Sequence, residues 1–345
     1  MPQRFAAQLL TDRPGRTVAQ VVGRLLAVQA QDTRGARLAV RARSRGLTAA
    51  DVDRALTTER SVVVGDLNRG TAHLVLAADY WWLHRLTAPG LRTRTERRLN
   101  QLGVTSDQRS RARRVITEEL AGGPRTRAQI GAALTAEGIE ATGPRTYHLL
   151  RLAGVDGVAV RGPVRDGAPA FVDAASWLGP PPDLERGESL ALLAERYLAG
   201  HGPAGPRDLA RWAGIALRDA REGLQAIVSE TIGGADAVVL ADSTPPPAPV
   251  PEPVLLGAFE PVLLGWESRA GVLGDRAPEV VSGGVFRSFI LAQGHAAGLW
   301  RIERGRVRLE ADDGLGEGMR LALEQDAADV ESFLGHRDAA GASEA

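Results

Sequence analysis

Apolar residues between Val18 and Val28 recur at helical spacing and predict a helix ending at about Val28. The polar group Gln29-Ala30-Gln31-Asp32 follows at once, ahead of a cluster of arginines. In extended backbone, residues two apart project to the same side, whereas in a continuing helix they diverge. A helix end at Val28 therefore turns the carboxamides of Gln29 and Gln31 into one small volume; otherwise the group is a polar helix terminus. Downstream, Thr48-Ala49-Ala50-Asp51 has the form of a helix start, with Thr48 as cap and Asp51 at the third helical position. Val62-Val63-Val64 predicts a short strand, Asp66 to Gly70 a turn, and Thr71 to Leu76 a second strand. Helices followed by a two-strand hairpin is the order of a winged helix.

Leu91 to Arg114 is polar and arginine-rich and predicts a connecting pair of helices, most simply with a solvated face. An internal echo comes next. Gly122 to Ile130 and Gly202 to Ala210 each place a Gly/Pro turn ahead of a short helix, then a second turn and another helix. The first copy continues into a helix at Thr142 to Leu152 and a hairpin of Val158 to Arg161 with Ala168 to Val172. The second continues into Leu217 to Ser229 and a strand at Ala237 to Ala241. Such units commonly read nucleic acid with their third helix, yet the same fold also serves as scaffold.

Ser243 to Pro253 is proline-rich and marks a boundary. Beyond it the pattern turns to strands: Val254 to Leu256, Pro261 to Leu264, Val280-Val281, Val285 to Leu291, Ala296 to Ile302 and Val307 to Glu310, closed by a helix from Leu315 to Leu334. The reading is an α+β chain with units at 1–90, 91–182 and 183–243, a linker at 244–253, an antiparallel β domain at 254–335 and a disordered tail at 336–345.

Composition changes the picture in three places. Formal net charge is zero, which argues against a molecule held to nucleic acid by overall charge. All 42 basic residues are arginine, so each cation is a planar fork of donors suited to phosphates and guanine edges. Cysteine is absent, which removes disulfides, thiol catalysis and thiolate metal sites. No signal pattern opens the chain and no apolar run approaches a membrane span, so a soluble cytoplasmic protein is expected. The six histidines lack ligand-like spacing, no phosphate-binding glycine loop follows a strand, and Ser288 lacks a nucleophile elbow; neither metal nor cofactor is expected.

Four phrases, in order, carry a resemblance. They are Leu25 to Asp32 with Ala36 to Arg43 behind it; Asn68 to Val75; Leu255 to Arg269; and Gly283 to Phe286 followed by Gly298 to Arg301. Together they resemble the bacterial tandem winged-helix DNA glycosylases of the AlkZ and YcaQ type, over about residues 5 to 335. The resemblance implies three tandem winged helices and a C-terminal β domain forming a cleft around duplex DNA. It implies excision of bulky N-alkylated purines, including the ends of interstrand crosslinks, and in actinobacteria a branch that protects producers of DNA-alkylating natural products. It implies a catalytic motif of Gln, an apolar residue, then Gln or Asp, matched here by Gln29-Ala30-Gln31. Glu260 stands where the family pattern has Asp; the charge is kept.

The chemistry is coherent with that motif. A glutamine cannot titrate near neutral pH, so neither residue replaces the carboxylic acid of an ordinary glycosidase. An N7-alkylated guanine is already cationic and departs without a general acid. What remains is holding a water near the anomeric carbon, and an amide oxygen accepts its hydrogen bond. Asp32 is the second candidate base, or else a helix cap. Arg69, at a turn beside Gly70, is the candidate phosphate contact. Thr71 and His73 are candidates for the phosphate or sugar, with His73 equally a structural hydrogen-bonder. Arg145 begins a recognition-helix candidate with His148, and Arg287 and Arg301 lie where a hairpin of the β domain reaches a groove. Trp81-Trp82 is expected in the core, and Arg34, Arg37, Arg41 and Arg43 cannot all share one helix face. The partner implied is double-stranded DNA carrying alkylated purines. The alternative is a non-catalytic DNA binder, a regulator or drug-sequestering protein; three unlike units in one monomeric chain fit an asymmetric clamp better than a palindrome-reading dimer.

Overall fold

The first helical run is cut shorter than its hydrophobic pattern suggests. The computed structural model describes residues 1–165, 168–227, 229–231, 237–241 and 249–336. After α1 (Pro2–Ala7), helix α2 spans Val18–Leu25 and is opened by a reciprocal capping box between Thr17 and Gln20. Its Val18, Val21, Val22 and Leu25 are buried, a spacing of three, four and seven that fills one face. The helix stops at Leu25, not Val28, because Leu26 takes a left-handed φ of 63°. That conformation is costly for a branched side chain and persists here with Leu26 fully buried. The chain leaves extended, as β1 (Val28–Gln29).

Asp32 then caps α3 (Thr33–Arg41), accepting the Gly35 amide at 2.8 Å. Thr48 and Asp51 form the capping box of α4 (Ala49–Thr57). Strands β2 (Val62–Leu67) and β3 (Thr71–Leu76) follow, and β1 pairs antiparallel with β3. The order helix, strand, two helices, hairpin is complete in this first unit. It recurs after α5 (Tyr80–Gln101), as α6 (Ser106–Ala121), β4 (Arg125–Thr126), α7 (Arg127–Ala136), α8 (Pro144–Val155), β5 (Ala159–Arg165) and β6 (Ala168–Asp173). After α9 (Ala174–Leu178) it recurs once more, as α10 (Arg186–His201), a bridge at Ala204, α11 (Pro206–Ala213), α12 (Leu217–Gln225), β7 (Ser229–Thr231) and β8 (Val238–Leu240). Each unit has the order of a winged helix, and the short first strand always pairs with the last.

The first two hairpins join edge to edge through Val64 and Arg161, giving one six-stranded sheet in the order β1-β3-β2-β5-β6-β4. Arg161 reinforces the join by donating to both oxygens of buried Asp66, at 3.0 and 3.1 Å. Helix α5 spans the expected boundary near residue 90 and runs unbroken through Pro89. An internal proline costs about 3 kcal/mol. Burial of Leu83, Leu86, Leu91 and Leu99 on either side of it, each worth about 1.5–3 kcal/mol, outweighs that loss. Trp82 is buried as expected, while Trp81 is half-exposed and donates to the Gly179 carbonyl.

The linker read at 244–253 lies outside the described residues up to 248, as does the tail beyond 336. The C-terminal domain contains β9 (Val254–Leu256), α13 (Pro261–Leu264), α14 (Ala270–Leu273), α15 (Ala277–Val280), β10 (Val281–Ser282), β11 (Val285–Phe286), β12 (Phe289–Ala292), β13 (His295–Glu303), β14 (Arg306–Ala311) and α16 (Glu317–Phe333). Strands β14-β13-β12-β9 form one antiparallel sheet, and β10 with β11 forms a separate hairpin. Two strand expectations fail here. Pro261 to Leu264 is helical, because Glu260 caps it and proline suits the first helical position. Val285 to Leu291 divides between two sheets at Arg287-Ser288.

Two buried ion pairs fasten this domain to the first unit. Arg43 meets Glu260 at 2.5 Å with both side chains inaccessible, and Arg41 meets Asp326 of α16 at 2.9 Å. Asp326 also accepts the Leu255 amide at 2.8 Å, so both carboxylate oxygens are occupied.

Candidate active site

Backbone register assembles the site. Gln29 lies directly opposite His73 in the β1–β3 pair, so both side chains stand on one face of the sheet. The Ala30 amide adds a further bond to the Ala72 carbonyl at 2.7 Å and keeps the chain extended as far as Gln31. The two amides consequently meet, and Gln29 Nε2 donates to Gln31 Oε1 at 2.6 Å.

Arg69 fixes which way those amides face. Its Nη2 donates to Gln29 Oε1 at 3.2 Å, while Nη1 donates to the Trp212 carbonyl at 2.6 Å. A guanidinium has no acceptor, so Gln29 must present oxygen to it and N–H to Gln31. Gln31 then receives at its oxygen and turns two N–H donors and a spare lone pair outward. Burial, then the charges of Arg211 and Arg269, bring Arg69 down to about 10, which leaves it charged at neutral pH. Two donor positions of Arg69, the expected phosphate contact, are spent on Gln29 and the end of α11.

His73 is buried, and burial followed by the charge of Arg69 brings it down to about 3. Its Nδ1 donates to the Thr71 carbonyl at 2.8 Å, since a carbonyl can only accept. At neutral pH it is an uncharged ring hydrogen-bonded to the backbone of β3. Thr71 does line the site. Asp32 is occupied as the cap of α3.

Gln29, Gln31, Arg69 and Thr71 open on a cavity of about 210 Å³ completed by Arg211, Phe259, Leu264, Arg269, Gly284 and Phe286. It is thus shared by the first unit, α11 of the third and the C-terminal domain. Phe259 has a left-handed φ of 56° and packs its ring 5.1 Å from that of Phe286. Backbone strain of this kind costs about 1–3 kcal/mol and gathers at functional sites. The loop bearing it is seated on α3, where a Cβ on Gly35 would lie 2.4 Å from the Ala258 carbonyl oxygen. Phe286 stands at the foot of the β10–β11 hairpin, whose Gly283 and Gly284 both take positive φ, as a tight two-residue turn requires.

Three expected DNA contacts are not brought to this cavity. Arg145 donates to the Leu102 carbonyl at 2.9 Å and pairs with Glu140. Arg301 pairs with Glu303 on its own strand and with Glu310 on the neighbouring one. Arg287 is exposed beyond the hairpin, and its guanidinium has no partner among the described residues. Of the α3 arginines and their neighbour, Arg37, Arg41 and Arg43 are all paired, leaving Arg34 exposed. Arg211, Arg269, Phe259 and Phe286 carried no assigned role in the sequence; the last three fall within the phrases that bear the resemblance.

Gln31 also borders a second hollow, a cleft of about 1200 Å³ between the first two units. Its floor is the joined sheet, with Val64, Ala72, Leu74 and Phe171; its walls are α3 and α4 on one side and α7 and α8 on the other. Among the described residues there is no group of three metal-ligating side chains and no helix long and apolar enough to cross a membrane.

The profile of a family described as DNA glycosylase AlkZ-like matches residues 22–333. Among solved structures, Streptomyces sahachiroi DNA glycosylase AlkZ is similar with a TM-score of 0.78 at 22% identity, over 96% of this chain and 95% of that one. At that identity the likeness is one of fold. No curated protein matches the sequence.

Proposed function

From the premise that the chain belongs to the AlkZ-like DNA glycosylase family, we propose that it hydrolyses the N-glycosidic bond of bulky cationic N-alkylpurines in duplex DNA. N7-alkylguanine monoadducts are the substrates this reading names first, with the ends of interstrand crosslinks as its extension. The observation that carries it is the relay Arg69 to Gln29 to Gln31, in a cavity lined by no carboxylate among the described residues.

Such a site has no acid to protonate a leaving base and no strong base to deprotonate water. It can hold a water by the free lone pair of Gln31 Oε1 and point it at the anomeric carbon. A base that already bears a positive charge needs nothing more, and positioning alone supplies up to about 7–11 kcal/mol when geometry is ideal. The three units carry unlike residues at equivalent strand-to-helix junctions: Gln29 to Asp32, Arg125-Thr126 and Ala204-Gly205. The clamp is therefore complete in one chain, and the protein acts as a monomer.

The test is a duplex carrying a single N7-alkylguanine, incubated with protein and heated to break abasic sites. Strand breaks above the no-enzyme control are expected. Gln29→Ala and Gln31→Ala should each lower the single-turnover rate about 10²–10³-fold, as loss of a preorganised polar contact does. Breaks equal to the control would reject the reading for that lesion. Full activity in both variants would reject the site.

A further inference from the structure

Among the described residues the small cavity is walled by three guanidinium groups and no carboxylate. Its cations differ in what they have left to offer. Arg69 is committed to Gln29 and the Trp212 carbonyl. Arg269 uses Nε on the Leu263 carbonyl at 2.8 Å and lies over the Phe286 ring at 5.2 Å, which leaves both terminal nitrogens without an acceptor among the described residues. Arg211 is exposed and has no acceptor there at all. Asp208, the acid on the same helix as Arg211, is turned to Arg4 and to the amides of Gly205 and Glu267. The geometry points to Arg211 and Arg269 as a clamp for one backbone phosphodiester of the strand that carries the target nucleotide.

Several observations converge on an anion there. Arg69 and Arg269 are both pulled below the ordinary arginine range, by burial first and then by neighbouring arginines, with no carboxylate acting on either. Clustered cations without counter-charge are what a bound anion relieves, and a planar fork of donors matches phosphate oxygens. At about 210 Å³ the cavity is smaller than the ~300–1,000 Å³ of a typical small-molecule pocket. A cationic purine is repelled from it. The phosphate therefore enters the cavity, the charged base lies on the far side of Gln31 toward the apolar cleft, and the sugar between them faces the amide pair. This orientation rests on the reading of Gln29 and Gln31 as the water holder; the clamp itself is tested without it.

Affinity is measured by anisotropy on full-length protein and a duplex whose N7-methylguanosine carries a 2′-fluoro group to resist hydrolysis. Single phosphates around the lesion are replaced, one at a time, by neutral methylphosphonate. Arg211→Gln and Arg269→Gln should each weaken binding about tenfold and lower the slope of log affinity against log salt by about one. One methylphosphonate position should weaken the wild type to the same extent and add nothing to Arg211→Gln. Arg211→Lys should keep most of the affinity. Independent, additive losses at every position would overturn the clamp. So would competition by inorganic phosphate, at matched ionic strength, without any methylphosphonate coupling, which would make the cavity a site for free anion. If coupling holds while Gln31→Ala cleaves normally on unprotected DNA, the clamp stands and the water-holder reading falls; the converse result separates them the other way.

Discussion

Two hollows meet at Gln31, and arginine behaves differently in each. The cleft is lined by Arg37, Arg127 and Arg161, and every one of them is already satisfied: by Asp53 at 2.5 Å, by the Gly143 carbonyl at 2.7 Å and by Asp66 at 3.0 Å. The cavity is lined by Arg69, Arg211 and Arg269, and no carboxylate answers them among the described residues. In a chain whose 42 basic residues are all arginine, the number of cations on a surface locates nothing. The supply of acceptors by the protein does. Where the protein provides the acceptor, arginine is structure and the surface around it can be apolar. Where it leaves donors over, as at Arg211 and the terminal nitrogens of Arg269, a ligand can supply the acceptor.

The largest effect should come from the residue that separates the two hollows. Gln31→Ala should lower excision about 10²–10³-fold for every cationic lesion, whatever its substituent, in single-turnover assays. Arg69→Met should come next, at about 10–100-fold in rate with little change in salt dependence, because it frees the Gln29 amide without removing a phosphate contact. Filling the cleft with Ala132→Trp, on the exposed face of α7, should cost about tenfold for an N7-guanine bearing an apolar ring and nothing for N7-methylguanine, since the ring alone loses its apolar contact area. Equal losses for both would show that the cleft does not receive the substituent. Arg127→Gln should leave the salt slope unchanged, in contrast to Arg211→Gln.

The pH profile of excision should be the flattest result. His73 gains its proton only as pH falls through about 3, and Arg69 loses its own only as pH rises through about 10, so the rate should be level between pH 6 and 8. Stability should not be level. The unfolded chain protonates its histidines near 6.5, whereas buried His73 and His201 resist until about 3. The unfolded state binds more protons in that window, so stability is present above 6.5 and falls as pH drops, by about 1.4 kcal/mol per unit for each histidine. Thermal melts between pH 7 and 5 measure it.

Much of the architecture was legible. The capping residues Thr48 and Asp51, the hairpin around Asn68 to Gly70 and the echo between the second and third units rest on local rules of caps and turns, and the structure follows them. What was illegible depended on distance in sequence or on backbone strain. The left-handed Leu26 gives no sign in a run of apolar residues, yet it ends α2 three residues early and makes β1 possible. The buried pair of Arg43 and Glu260 joins residues 217 apart, so neither looked different from a surface charge. The meeting of Gln29 and Gln31 followed from their spacing, while the arginine that orients them did not, because a turn arginine reads first as a phosphate contact. Arg211 and Arg269 were hidden by abundance. Only the positions of their neighbours distinguish them from the paired majority.

The central claim is that an oriented amide pair suffices because the leaving base is already charged. The direct measurement is the single-turnover excision rate for N7-methylguanine beside 7-deaza-7-methylguanine, a neutral isostere, in the same duplex. The account predicts excision of the first, lowered about 10²–10³-fold in Gln31→Ala, and no release of the second above the no-enzyme control. Release of the neutral isostere at a comparable rate would contradict it, since a site without an acid could not then be doing the chemistry.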